Sequence, residues 1–211
     1  LFAGIGGFHL ALKALGHECV FASERDPELR KLYLRNFPDS HGITHGDIRE
    51  CKDKVPPHDL LCAGFPCQPF SKSGDQQGLR DKTRGTLFHE IMEVLKKHRS
   101  PYVILENVGN FERHDDGRTW KIVKDSLTKL GYDVRGTEHV TSGGHGLISP
   151  HHLGFPHTRE RFFVVARWHH IAQAPRPVQA GSLGARPRRD GLDEAADRLH
   201  RPLGHFPEKT S

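Results

Sequence analysis

Short apolar runs alternate with amphipathic segments along most of this chain, and this alternation restricts the possible fold more than any other feature. The strand-like runs are residues 20–24, 43–47, 60–64, 103–108 and 162–167, and the helix-like segments are residues 8–15, 26–36, 87–98 and 119–130. Strands separated by helices predict an α/β fold with a doubly wound, mostly parallel sheet covered on both faces. Residues 132–140 predict one further strand, antiparallel near the sheet edge.

Length and composition set broad limits on the class of protein. The 211 residues suffice for a single hydrophobic core. A net charge of +5 is compatible with a polyanionic partner, although many basic proteins share it. No apolar stretch approaches the ~20 residues that span a bilayer, and no secretory signal pattern opens the chain. A cytoplasmic protein without a membrane partner is therefore predicted.

The cysteines and histidines do not predict a disulfide framework or a metal site. The four cysteines contain no Cys-x-x-Cys pair and read as reduced thiols. The 17 histidines include two doublets, but a second ligand pair at zinc-site spacing is missing from the sequence. We therefore predict no metal.

One cysteine stands directly after a buried strand. Cys67 lies in the sequence Gly-Phe-Pro-Cys-Gln-Pro-Phe-Ser, which begins at Gly64 and follows the apolar residues 59–63. A cysteine there is either a small buried residue in a turn or a nucleophile. Two other segments favour the nucleophile: a second apolar run that ends in Glu106-Asn107-Val108, and a glycine-rich loop at residues 2–8.

The glycine-rich loop and the acid after the next strand form a candidate nucleotide site. Gly4, Gly6 and Gly7 fit either a tight turn or a loop that approaches a ligand closely. Glu24 favours the ligand, because an acid at the next strand end accepts hydrogen bonds from ribose hydroxyls. The full Gly-x-Gly-x-x-Gly spacing and a phosphate-binding lysine are missing from the sequence, which favours S-adenosylmethionine, a cofactor without phosphates.

Further motifs follow in a fixed order: Gly46-Asp47-Ile48, residues 84–88 and residues 154–161. Together with the segments above, they make residues 1–167 resemble the catalytic region of the DNA (cytosine-5) methyltransferase family. The resemblance implies a Rossmann-like fold and transfer of a methyl group from S-adenosylmethionine to cytosine in double-stranded DNA.

The resemblance also assigns the cofactor contacts. Phe2 and Ile48 are implied to pack on the adenine, Asp47 to bind its amino group and Glu24 to bind the ribose. Apart from the resemblance, Asp47 also fits an ordinary aspartate at a strand end. The implied cofactor residues are Phe2, Gly4, Gly6, Gly7, Glu24, Asp47, Ile48, Pro66 and Leu87.

The reaction requires a thiolate and an acid. Carbon 5 of cytosine is a poor nucleophile until a thiolate adds to carbon 6, and Cys67 is the candidate. Glu106 is the candidate acid at ring nitrogen 3, and Asn107 is expected to fix the loop. The resemblance implies that Arg161 binds the base oxygen at position 2 and that Arg159 supports Glu106 or the Cys67 loop. The two arginines also fit a surface salt-bridge cluster.

A base inside a duplex must be flipped out before it can react. We expect residues 68–78 to form a mobile loop that closes on DNA, with Gln68, Ser71 and Ser73 near its backbone. His157 stands where the family usually has glutamine, which is a departure at a supporting hydrogen bond.

The domain organisation is expected to be incomplete. Residues 1–167 are predicted to form the catalytic and cofactor-binding domain, and the Pro/Gly-rich residues 168–211 to be irregular or the start of a recognition region. Little more than Leu1 and Phe2 precedes the glycine-rich loop, so the first strand is expected to be largely missing. We therefore expect a fragment, truncated at both ends, or half of a split enzyme whose second chain supplies the recognition domain.

Two alternatives stay open. One is an inactive fragment. The other is an RNA cytosine-5 methyltransferase, which is less favoured because RNA-acting relatives usually have Pro-Pro-Cys followed by threonine, whereas this chain has Phe65-Pro66-Cys67 and Ser71.

Overall fold

The computed structural model describes residues 1–66, 86–136 and 147–169. Helices and strands alternate along them, which confirms the predicted α/β class. The helices are α1 (Gly7–Ala14), α2 (Pro27–Asn36), α3 (Ile48–Cys51), α4 (Leu87–His98) and α5 (Arg118–Lys129). The strands are β1 (Ala22–Ser23), β2 (Thr44–His45), β3 (Leu60–Gly64), β4 (Tyr102–Val108), β5 (Tyr132–Gly136) and β6 (Arg161–Trp168).

Four of the strands form a mixed sheet in the order β3-β4-β6-β5. β3 and β4 are parallel, whereas β6 is antiparallel to both β4 and β5. β5 corresponds to the strand predicted over residues 132–140, and it lies at the edge of the described sheet, where it pairs antiparallel with β6. It runs in the same direction as β3 and β4, so β6 is the strand that runs opposite to the other three. β1 and β2 form a separate parallel pair.

The first three residues connect the two sets of strands. The backbone nitrogen of Leu1 donates to the carbonyl of Cys62 in β3 at 2.6 Å, and the nitrogen of Ala3 donates to the carbonyl of Ser23 in β1 at 2.9 Å. Residues 1–3 therefore run between β1 and β3 and lead directly into the glycine-rich loop.

The main hydrophobic core lies between the mixed sheet and the helices α4 and α5. Alternate residues of β4 and β6, including Leu105 and Phe162, are fully buried. Phe111, which follows β4, lies 5.6 Å from Phe162, 5.8 Å from Phe65 and 6.4 Å from Trp120 between ring centroids. Such aromatic pairs contribute about 0.5–1.5 kcal/mol each beyond their burial. This cluster fixes the strand ends that carry the site.

Local signals explain where two of the helices begin. Asp26 accepts hydrogen bonds from the backbone of Glu28 and Leu29, and Pro27 opens the first turn of α2. Thr86 caps α4 through the nitrogen of His89.

No helix in the described residues is long and apolar enough to span a bilayer. Except for Trp168 and His169, the predicted tail of residues 168–211 lies outside the described residues, so the domain boundary stays a prediction.

Candidate functional site

Glu24 connects the glycine-rich loop to the end of β1. Its carboxylate accepts a hydrogen bond from the nitrogen of Gly4 at 2.8 Å and one from the nitrogen of Asp26 at 2.9 Å. The Arg30 guanidinium donates to the carbonyl of Glu24 at 2.8 Å and so fixes its backbone. A carboxylate has about four acceptor positions, so Glu24 can also accept from a ligand hydroxyl.

Within the glycine-rich loop, glycine is required most strongly at position 6. Gly4 and Gly6 have positive φ angles of 54° and 96°. A Cβ at Gly6 would lie 2.1 Å from the Phe37 ring, whereas Cβ atoms at Gly4 and Gly7 would meet nothing within 4 Å. The loop thus presses against α2 at Gly6 and faces open space at Gly4 and Gly7.

Asp47 follows β2 and caps α3. Its carboxylate accepts from the Arg49 backbone at 3.0 Å and forms ion pairs with the guanidinium groups of Arg49 and Arg25. Hydrogen bonds from Arg49 hold the pKa of Asp47 below its usual value. The next residue, Ile48, is 2 % exposed and belongs to the main core, so it leaves little side-chain surface for a ligand.

Glu106 and Arg161 form an ion pair at the other end of the site. The Arg161 Nε lies 2.7 Å from Oε1 of Glu106, and both side chains are about one quarter exposed or less. Gly64 pairs with Glu106 across β3 and β4, and a Cβ there would lie 3.1 Å from Oε2 of Glu106. Glycine at position 64 therefore lets the carboxylate lie beside the carboxyl end of β3.

Asn107 holds the segment that leads to Cys67. Its amide nitrogen donates to the carbonyl of Phe65 at 2.9 Å, and its amide oxygen accepts from the nitrogen of Val108 at 2.9 Å. Asn107 is 4 % exposed, and Phe65 packs in the aromatic cluster of the main core. The chain is thus fixed up to Phe65, two residues before the predicted nucleophile.

Part of the predicted site lies outside the described residues. These predicted site residues are Cys67, Gln68, Ser71 and Ser73. Pro66 is exposed at the end of the described segment, and Leu87 is half-buried at the start of α4.

Ser149 is a supporting residue that sequence reasoning missed. It is fully buried, and its hydroxyl accepts from the nitrogen of Arg159 at 2.9 Å. Reciprocal backbone hydrogen bonds between Ile148 and Arg161 close the same loop. The ion pair to Glu106 comes from Arg161, while the described contact of Arg159 is through its backbone.

Cys51 and Cys62 differ from a nucleophilic cysteine. Burial raises the pKa of Cys51 and raises the pKa of Cys62 to about 11, so both thiols stay protonated near neutral pH. Among residues 1–66, 86–136 and 147–169, no cluster of three metal-ligating side chains is present.

Comparison with known proteins decides the family. The model of the C-5 cytosine-specific DNA methylase family matches residues 1–183. This chain belongs to that family.

Two bacterial members of the family are close relatives. The type II methyltransferase M.MspI of Moraxella sp is 40% identical over 167 residues, which are 79% of this chain and 37% of the relative. The type II methyltransferase M.HhaI of Haemophilus parahaemolyticus is 40% identical over 166 residues, which are 78% of this chain and 47% of the relative.

A solved structure agrees in fold. The Dnmt2 methyltransferase of S. pombe superposes with a TM-score of 0.56 at 25% identity, over 79% of this chain and 49% of that one. The chain therefore spans less than half the length of each of these three family relatives.

In the structure, the predicted motifs contact one another at two places. Glu24 meets the glycine-rich loop at the end of β1, and Glu106 meets Arg161 beside the end of β3. The Asp47 carboxylate belongs to neither pair among the described contacts. Its ion pairs are with Arg49 and Arg25.

Proposed function

We propose that this chain carries the catalytic centre of a DNA (cytosine-5) methyltransferase, which transfers a methyl group from S-adenosylmethionine to carbon 5 of a flipped-out cytosine. The observation that carries the proposal is the Glu106–Arg161 ion pair beside Gly64, at the start of the segment that leads to Cys67. The family match supports it, as do the names of the type II methyltransferases M.MspI and M.HhaI.

The residues of the cofactor end fit S-adenosylmethionine. The Glu24 carboxylate can accept from ribose hydroxyls, and the Asp47 carboxylate can accept from the adenine amino group. Open space beside Gly4 and Gly7 leaves room for a nucleoside at the loop. We place Phe2 against the adenine, and Pro66 and Leu87 near the methionine part. When bound, the cofactor supplies an electrophilic methyl group.

The residues of the reacting end fit cytosine activation. The Cys67 thiolate adds to carbon 6 of the base, forming a sulfur–carbon bond and pushing electrons towards ring nitrogen 3. Glu106, in its protonated form, donates a hydrogen bond to that nitrogen and stabilises the developing charge, while Arg161 orients the Glu106 side chain and lies within reach of the base oxygen. Transfer of the methyl group to carbon 5 would release S-adenosylhomocysteine, and transfer of the carbon 5 proton to water with elimination of the Cys67 thiolate would then restore the aromatic ring.

Double-stranded DNA is the proposed substrate, and Gln68, Ser71 and Ser73 are its proposed backbone contacts. The base must leave the helix to reach Glu106, at a cost of a few kcal/mol. The chain covers 37% of M.MspI and 47% of M.HhaI, so the chain is assayed both alone and with a polypeptide that supplies the remaining length.

Methyl transfer from labelled S-adenosylmethionine tests the proposal. Duplex DNA and transfer RNA are assayed in parallel, with the chain alone and with a polypeptide that corresponds to the remaining length of M.HhaI. We expect label in DNA cytosine and a loss of at least about 100-fold in rate for Glu106→Gln. Cys62→Ala is the matched control and is expected to keep the rate, because the Cys62 thiol stays protonated.

Two outcomes contradict the proposal in different ways. Label in transfer RNA alone would give the chain an RNA substrate. Undiminished transfer by Glu106→Gln would remove Glu106 from the mechanism even if DNA is the substrate.

A further inference from the structure

The helix that follows the glycine-rich loop is poorly buried and gives the loop limited support. None of the residues of α1 is buried, and Leu10 and Leu15 are 65% and 73% exposed. A loop with two glycines at positive φ angles nevertheless needs contacts that hold it, because glycine loses more conformational freedom on ordering than any other residue. Contacts from other elements are therefore needed to hold it.

The last residue of α2 supplies one such contact. The side-chain amide of Asn36 donates a hydrogen bond to the carbonyl of Ile5 at 3.0 Å, across 31 positions of sequence. Ile5 stands between Gly4 and Gly6, so this bond fixes the peptide at the centre of the loop.

The residue after Asn36 supports the loop from the same side. Phe37 is 6% exposed, and its ring lies directly against Gly6. The His9 imidazole stacks on the same ring, with centroids 3.9 Å apart and planes 9° from parallel. Asn36 and Phe37 together hold the loop against the end of α2.

Glu24 holds the loop from the other side, but its carboxylate is also the proposed ribose acceptor. The bond from Asn36 involves an atom of the loop that is not proposed to contact the cofactor. It can therefore keep the loop ordered both before and after a ligand binds, which lowers the entropy cost of binding.

We propose that Asn36 is a positioning residue for the cofactor, acting through the Ile5 carbonyl without touching the ligand. This inference rests on the proposed function, since it assumes that S-adenosylmethionine binds at the loop. A single hydrogen bond of this kind changes affinity by about three- to tenfold.

The test compares four forms of the full chain: wild type, Asn36→Ala, Asn36→Asp and Arg35→Ala. Asn36→Asp keeps the side-chain shape but removes the donor, and Arg35→Ala is a matched control because Arg35 is exposed in the same turn of α2. Calorimetric titration with S-adenosylmethionine gives the Kd. Amide hydrogen exchange of the cofactor-free protein gives the protection of residues 1–8.

We expect both Asn36 variants to bind S-adenosylmethionine about three- to tenfold more weakly and to exchange faster in residues 1–8. Arg35→Ala should match the wild type in both. Melting temperatures should stay within about 2 °C of each other, because Asn36 is exposed and does not belong to a core. A general loss of structure would instead lower the melting temperature and speed exchange in α2 as well.

Three results would overturn the inference. They are an unchanged Kd for both Asn36 variants, weakened binding for Arg35→Ala as well, and unchanged exchange in residues 1–8. If the wild-type chain binds no S-adenosylmethionine, the proposed function fails instead, and the exchange rates alone decide whether Asn36 holds the loop.

Discussion

The two ends of the site are held together by different kinds of interaction. The cofactor region, made of α1, β1, α2 and β2, has a core of only three buried residues, Ala22, Tyr33 and Phe37. The reacting region, made of β3 to β6 with α4 and α5, contributes most of a continuous core that extends from Ile48 to Ala166. A continuous core supports the reacting groups, whereas the cofactor loop depends on a few individual contacts from Glu24, Asn36 and Phe37.

This difference suits the two proposed tasks. A nucleophile and an acid must be held to within about half an ångström of the productive geometry, and packed strands provide that precision. A loop that admits and releases a cofactor needs less packing and more replaceable contacts, such as the bond from Gly4 to Glu24.

The largest expected effect comes from the aromatic cluster of the reacting region. Phe111→Ala removes a fully buried ring beside Phe65, Trp120 and Phe162, so the free energy of unfolding should fall by about 3–5 kcal/mol. Urea denaturation followed by tryptophan fluorescence measures this, since both tryptophans of the chain belong to this region.

Two matched variants sharpen this prediction. Phe155→Ala removes a half-exposed ring and should cost less than about 0.5 kcal/mol. Phe37→Ala should cost less than Phe111→Ala, because the three-residue core has fewer neighbours to lose. An equal cost for Phe37→Ala and Phe111→Ala would break the distinction between the regions.

A smaller and more local effect is expected in the cofactor region. Gly6→Ala forces a Cβ into the Phe37 ring at a positive φ angle, at a cost of about 1–3 kcal/mol. Binding of S-adenosylmethionine should be lost while the tryptophan fluorescence of the reacting region stays native. Gly42→Ala is the control, because a Cβ there meets nothing within 4 Å and Gly42 is not part of the proposed cofactor site. Equal loss of binding in both variants would contradict this account of the loop.

The smallest effect concerns pH and the end of the reacting region opposite the site. Burial lowers the pKa of His58 and His98, whose rings lie 5.3 Å apart. The unfolded chain therefore takes up protons below about pH 6.5 that the folded chain does not, and stability falls as pH drops through that value.

His98→Phe removes one of these two imidazoles and leaves the other in place. The Nε2 of His98 is buried without a hydrogen-bond partner in the described structure, so its loss removes both a titrating group and an unpaired atom. The variant should lose less stability between pH 7.5 and 5.5 than the wild type in urea denaturation. An equal or steeper loss would contradict a depressed His98 pKa in the folded protein.

Sequence patterns predicted the reacting region better than the cofactor region. The bounds predicted for β3 and α4 agree with the structure residue for residue, because local signals mark them: Gly64 ends the apolar run and Thr86 caps the helix. β1 and β2 were each predicted with five residues but have two, because their ladder joins only residues 22–23 to 44–45. The direction of β6 was not predictable from its composition, since an apolar run looks alike in either direction.

The residues of the candidate site also differ in how well the sequence predicted them. Glu24, Asp47 and Glu106 lie at or near strand ends, where position along the chain already indicates a ligand. Asn36 and Ser149 act on backbone atoms that are 31 and 10 positions away, and nothing in the local sequence shows which distant group needs a partner.

The central claim is that the two regions together present a cofactor and a thiolate to one cytosine. Its most direct test is a denaturing gel of the chain, completed by the remaining length of M.HhaI, after incubation with S-adenosylmethionine and duplex DNA that contains 5-fluorocytosine. We predict a covalent protein–DNA complex that disappears with Cys67→Ala and persists with Cys62→Ala. A complex that persists in Cys67→Ala, or no complex while methyl transfer proceeds, would contradict the claim.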